Sequence, residues 1–256
     1  MRRTFAALGA LLMAGSLACS QTSAAKPASQ AKPDGAAKSA TSASTTASKP
    51  TAVIDTTAGK MNCTLFPDKA PIGVANFIGL STGTKDWKNP VSGANKHGVP
   101  LYDGTIFHRV IPGFMIQGGD PAGTGSGADP VKPFKNEVSP DLLFDQPGRL
   151  AYANAGPNTN TSQFFITEVP FTGQQAGILN GHYTIFGQCD DASVALVKQI
   201  AAMSRDGNDR PYRPIRINHI AIQKGRSSAM AAKPPGAASA RKRTTPATPK
   251  KSANPQ

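Results

Sequence analysis

The chain has 256 residues and carries 28 Lys and Arg against 15 Asp and Glu, a formal charge of +13. Spread evenly, that excess would suit a polyanion binder, but residues 51–224 hold 15 basic and 14 acidic side chains. The basic character therefore belongs to the ends, and the central segment is not a uniformly cationic nucleic-acid-binding domain. The length suits one ordinary domain with tails.

At the start, Arg2 and Arg3 precede an apolar run from Phe5 to Leu17 that closes on Ser16-Leu17-Ala18-Cys19. A charged start and a run too short to span a bilayer predict an export signal over residues 1–19. Cys19, directly behind a small residue, is similar to a bacterial lipoprotein cleavage site and is the expected point of lipidation. Ser16 and Leu17 stand in the reverse of the commonest order, so plain secretion with cleavage nearby is the alternative. Either way the protein is expected beyond the cytoplasmic membrane, in the cell envelope or periplasm.

Residues 20–50 are Ala, Ser, Thr, Lys and Pro without an aromatic side chain. Such a segment cannot bury enough apolar surface to offset its ordering entropy and reads as a disordered tether. As a random coil its thirty or so residues would place the domain about 30 Å from the anchor. Residues 225–256 read as a similar disordered tail, basic through Arg241–Arg243 and Lys250-Lys251.

Between the tails the pattern is globular. Ala52–Asp55 and Met61–Phe66 alternate and read as strands joined at Ala58-Gly59. Pro71–Leu80 reads as a helix, with Pro71 in the first turn and Val74, Phe77 and Ile78 at helical spacing. Lys85–Pro100, with the chain's one Trp, Trp87, reads as a surface loop. Ile106–Ile111 and Phe114–Gly118 are short strands broken at Pro112-Gly113. Gly148–Ala153, Gln163–Thr167 and Tyr183–Gln188 read as further strands. Ala192–Met203 is a second helix with Asp191 as its expected N-cap, and Ile215–Ile222 closes the pattern with alternation. Many short strands with two helices fit a barrel or a sandwich. Gly118–Gly127 is rich in glycine but lacks phosphate-loop spacing and reads as a turn. Asn158 and Asn160 read as turn residues. His97, His108, His182 and His219 have no metal-ligand spacing, and His108 reads as a packed strand residue. No metal and no cofactor is expected. If Cys19 carries lipid, Cys63 and Cys189 remain. A disulfide is open to an exported protein, and two buried thiols are the simpler expectation.

Two dense runs stand out: Phe107–Asp120, FHRVIPGFMIQGGD, and Ala153–Ile166, ANAGPNTNTSQFFI. The first places a single arginine, Arg109, among apolar residues, which is costly unless its charge is used. Both runs resemble the signature segments of the cyclophilin family of peptidyl-prolyl isomerases, and Leu179–Gly187, LNGHYTIFG, resembles a later family segment. The resemblance covers Thr51 to Lys224. It implies a mainly β fold, a closed eight-stranded antiparallel β-barrel capped by two α-helices. It implies an isomerase that assists the folding of proline-containing polypeptides, with Arg109 as the catalytic cation. Phe114, Met115, Phe165 and Leu179 match the proline socket, and Gln117, Asn154 and Gln163 match the groups that hold the peptide, flanked by Ala153 and Ala155. Tyr183 stands where many members place a pocket histidine, and Ile178 where many have a tryptophan. The expected partners are proline-containing chains and a membrane reached through the N-terminal lipid. The protein is expected to be a monomer without nucleic acid. The alternatives are a proline-peptide binding module without turnover, and an envelope or polyanion binder acting through the basic tail.

Overall fold

The computed structural model describes residues 48–225. The export signal, Cys19, nearly all of the tether and nearly all of the basic tail lie outside the described residues.

The chain opens with β1 (Thr51–Thr56) and β2 (Gly59–Leu65), a hairpin whose inward residues Ala52, Ile54, Met61, Cys63 and Leu65 are fully buried. Alternation of period two puts those residues on one face. Helix α1 (Pro71–Thr82) follows, with Pro71 at its start and Gly83 in the left-handed conformation at its end. The predicted surface loop then carries a small pair of strands, β3 (Trp87–Lys88) and β4 (Asn95–Lys96). Trp87 is buried, and its Nε1 donates to the Val99 carbonyl at 2.8 Å. Next come β5 (Arg109–Ile111), β6 (Met115–Gly118), β7 (Arg149–Tyr152) and β8 (Phe164–Thr167). Helix α2 (Gly173–Leu179), β9 (Ile185–Cys189), helix α3 (Asp191–Ala201) and β10 (Ile217–Gln223) complete the order.

Eight strands form one antiparallel sheet in the order β10-β1-β2-β9-β7-β8-β6-β5. The expected closed barrel is not formed. Strands β10 and β5 are edges, and the gap between them is spanned by one bridge, Ile106 with Arg216, and by backbone bonds such as Phe107 N to Ile215 O at 2.9 Å. The reason is local. Strand β5 is three residues long and ends at Pro112-Gly113. The Val110 amide donates to the Asp209 carbonyl at 2.9 Å, so a loop occupies the place where a closing strand would pair. The sheet is therefore an open half-barrel.

The helices also differ from expectation. There are three among the described residues. Helix α2 holds two glycines and buries only Leu179, so it leaves no apolar periodicity to read. The N-cap of α3 is Asp190, not Asp191: its side chain accepts from Ser193 N at 2.9 Å. Asn160 is no turn residue. It is fully buried and donates to Phe134 O and Asn136 Oδ1. Asn158, at φ 64, does sit in a turn conformation.

Cys63 and Cys189 are joined in a disulfide, against the expectation of free thiols. They face each other in register across β2 and β9 with Cα atoms 3.8 Å apart. Sequence could not bring together residues 126 positions apart.

The sheet has two apolar clusters, one on each side. Val110, Ile116, Ile166 and Leu150 are successive cross-strand neighbours, and all lie in the main core. Rings of Phe77, Tyr102, Phe164 and Phe186 fill that core around α1. The alternate file, Arg109, Gln117, Phe165 and Ala151, faces the other way. There Met115, Phe144, Ala151, Phe165, Phe171, Leu179 and Ile185 form the smaller cluster. This explains why β7 and β8 are buried on both faces, and why the second face has room for a site.

Candidate active site

A cleft of about 620 Å³ opens on that second face. Its apolar floor is Phe114, Met115, Phe165 and Leu179. Phe165 is held between Phe144 at 5.7 Å and Tyr183 at 5.6 Å, and Phe114 meets Phe171 edge to face at 5.5 Å. Such aromatic pairs fix the ring directions as well as burying area.

Arg109 stands on one wall, its side chain 43% exposed. Its Nε lies 3.7 Å from Asp209 Oδ2, a loose ion pair. Among the described residues the guanidinium makes no hydrogen bond. Gln117 lies directly across β5 and β6 from it. Gln117 Nε2 donates to Gln163 Oε1 at 3.0 Å, and Gln163 Nε2 donates to the Gly125 carbonyl at 3.2 Å. A chain of amides thus runs from the strand opposite Arg109 to the glycine-rich segment.

Of the residues named from sequence, Arg109, Phe114, Met115, Gln117, Ala153, Asn154, Phe165, Leu179 and Tyr183 all line this cleft. Gln163 and Ala155 line an adjoining groove of about 260 Å³, with Gln117, Ala153 and Asn154 common to both. Asn154 also serves its own turn: Nδ2 donates to His182 O at 3.0 Å and Oδ1 accepts from Gly156 N at 3.3 Å. Ile178 is exposed and lies in a neighbouring hollow beside Tyr183 and His182.

The sequence of 51–222 matches the family described as "Cyclophilin type peptidyl-prolyl cis-trans isomerase/CLD". The chain belongs to the cyclophilin family. It is 50% identical over 175 residues to peptidyl-prolyl cis-trans isomerase A of Mycobacterium tuberculosis, covering 67% of this chain and 91% of that one. It is 45% identical over 174 residues to peptidyl-prolyl cis-trans isomerase B of Streptomyces anulatus, covering 67% and 95%. A crystal structure of a cyclophilin type peptidyl-prolyl cis-trans isomerase of Cryptosporidium parvum aligns with a TM-score of 0.58 at 33% identity, over 70% of this chain and 99% of that one. A second structure of it, in the presence of the dipeptide Ala-Pro, aligns with a TM-score of 0.55 at 34% identity, over 68% and 98%. The protein is a cyclophilin-type peptidyl-prolyl cis-trans isomerase.

The cyclophilin cleft also contains residues that sequence reading left out. His108, Thr124, Gly125, Ser126, Asp206, Asn208 and Arg210 line it. The glycine-rich turn is one wall. Asp120 organises it by accepting from Ala122 N, Thr124 N and Gly125 N at 2.7–2.9 Å. The loop at 206–210 is another, tied to the first because Arg210 Nη1 donates to the Gly123 carbonyl. An Asp heading a Gly-rich run is the sequence signal for such a built turn. Nothing in the sequence places 206–210 beside Arg109. Burial pushes the His108 ring down to about 4, with Arg210 and Arg109 lowering it further and Asp120 opposing.

Proposed function

We propose that this cyclophilin domain works beyond the cytoplasmic membrane, held by a lipid on Cys19, and that Arg109 is the group that speeds rotation about X-Pro bonds. Rotation meets a barrier of about 18–20 kcal/mol because the C–N bond has partial double-bond character. In the twisted state conjugation is lost and the prolyl nitrogen becomes a better acceptor. A guanidinium fixed beside it can donate a hydrogen bond there, or hold the adjoining carbonyl, with no covalent step and no proton transfer.

The carrying observation is that the half-exposed guanidinium of Arg109, without a hydrogen bond among the described residues, opens on the same cleft as the floor of Phe114, Met115, Phe165 and Leu179. The floor would take the proline ring. Gln117, Gln163 and Asn154 would hold the peptide backbone, Ala153 and Ala155 would keep its path clear, and Tyr183 would close the rim. The Cryptosporidium parvum structure determined in the presence of Ala-Pro is in keeping with a proline-containing ligand. The Cys63–Cys189 disulfide supports export, since such bridges persist in oxidising compartments.

Arg109→Lys tests the site. It keeps the charge and loses the planar fork. The expected result is a fall in kcat/KM of at least about ten-fold with peptide affinity little changed; a wild-type rate would overturn the assignment. For the anchor, Cys19→Ala should move the protein from the membrane fraction to the soluble one. Undiminished membrane association would refute the lipid on Cys19.

A further inference from the structure

His108 precedes Arg109 in the chain and is only 5% exposed, yet it lines the cleft. Neither ring nitrogen has a hydrogen-bond partner among the described residues. The ring lies directly under Gly125: a Cβ added to that glycine would stand 3.0 Å from both Cδ2 and Nε2. Gly125 is at φ +79, is held by Asp120, and offers its carbonyl to Gln163. Burying an imidazole with both nitrogens unpaired costs about 1–3 kcal/mol, so ordinary filling would favour an apolar side chain. Imidazole is, however, the smallest flat aromatic ring among the side chains, and the space beneath Gly125 is shallow.

We propose that His108 is a positioning residue for the isomerisation: its ring sets the height of Gly125 and, through the Gly125 carbonyl, the Gln163–Gln117 amide chain opposite Arg109. The proposal rests on the reading of Arg109 and Gln117 given above. The ring supports the cleft wall while Asp120 accepts from the Thr124 and Gly125 amides and Arg210 donates to the Gly123 carbonyl of the same segment. Residues 120–125 are thereby fixed, and the two glutamine amides are presented to a peptide in one arrangement.

The test uses the full chain with His108→Ala, Gly125→Ala, the double variant and His108→Gln, a flat amide near the imidazole in size. Cis–trans exchange of an X-Pro peptide gives kcat/KM, and the side-chain amide signals of Gln117 and Gln163 report their geometry. Each single alanine should lower kcat/KM about ten-fold or more, since small misplacements at a reacting centre are costly. Both glutamine signals should shift, and His108→Gln should recover most of the rate. The double variant should lose less than the product of the two single losses, because His108→Ala opens the space that the new Cβ at Gly125 would fill and leaves only the backbone strain at φ +79. If His108→Ala does not fold, His108→Asn, a smaller flat side chain, reads the same contact without straining the backbone at Gly125. Unmoved glutamine signals with an unchanged rate, or losses that simply multiply, would overturn the proposal. Failure of the Arg109 reading would look different: Arg109→Ala would then be as fast as wild type.

Discussion

Arg109 and Asp209 share a divided ion pair. Arg109 Nε lies 3.7 Å from Asp209 Oδ2, while Asp209 Oδ1 takes a 3.0 Å bond from Arg205 Nε. Asp209 is in the left-handed conformation, φ 62, and its backbone carbonyl holds the Val110 amide. The carboxylate is thus committed mainly to Arg205 and only steadies Arg109. Partly exposed pairs of this kind contribute roughly 0.2–1 kcal/mol, so Asp209→Asn should lower kcat/KM by about 1.5- to 5-fold. Steady-state kinetics will check this; a loss as large as that of Arg109→Ala would show that Asp209 does more than orient.

The disulfide sits away from the cleft, at matched positions on β2 and β9, and closes a separation of 126 residues. Bridges over long separations stabilise by about 2–5 kcal/mol. The variant Cys63→Ala/Cys189→Ala should unfold at lower urea by that margin, while its kcat/KM at 25 °C stays near wild type. Urea titration with and without reductant, read beside the rate, measures both parts.

Helix α1 has no side-chain cap of its own and no acidic residue in its first turn. Glu137 supplies the missing acceptor from a distant segment: Oε1 accepts from Ile72 N at 2.9 Å and Oε2 from Gly73 N at 2.7 Å. A carboxylate there satisfies free amides and opposes the positive end of the helix dipole. Glu137→Ala should cost about 1–2 kcal/mol, seen as a lower urea midpoint with unchanged slope.

His108 gives stability a pH dependence with a definite sign. Its folded value is about 4, below the ordinary 6.5, because burial disfavours the charged ring and Arg210 and Arg109 add to this while Asp120 opposes it. Between pH 4 and 6.5 the unfolded chain binds the extra proton. Stability therefore rises with pH through that window and is lost as pH falls, by on the order of 3 kcal/mol at most. Asp55, Asp68 and Asp190, all held below the usual carboxylate value, add a dependence of the same sign at lower pH: the unfolded chain takes up their protons first, so their contribution is lost as pH falls below about 4. Urea unfolding at pH 4.5 and 7 should show a clear difference in wild type and a much smaller one in His108→Gln.

What could be read from sequence was local. The inward faces of β1 and β2 follow from alternation, and Val194, Val197, Ile200 and Ala201 mark the buried side of α3 at helical spacing. Arg109, Phe114, Met115 and Gln117 lie within one β5–β6 hairpin, and Ala153, Asn154, Gln163 and Phe165 within β8 and the connection that leads to it from β7, so two short segments carry most of the site. What could not be read depended on distant contacts. Cys63 meets Cys189 only through the register of β2 with β9. Asp206, Asn208 and Arg210 reach the cleft because their loop runs along the free edge of β5, which is also why the barrel stays open. Helix α2 is mostly solvent-exposed and left no pattern to find.

The central claim is that Arg109 lowers the rotation barrier. The direct measurement is NMR exchange between the cis and trans forms of an X-Pro peptide, with wild-type protein and with Arg109→Ala at equal, folded concentrations. Accelerated exchange with wild type and a loss of at least about ten-fold with Arg109→Ala is the predicted result. Equal acceleration by the two proteins would contradict it and move the catalytic role elsewhere in the cleft.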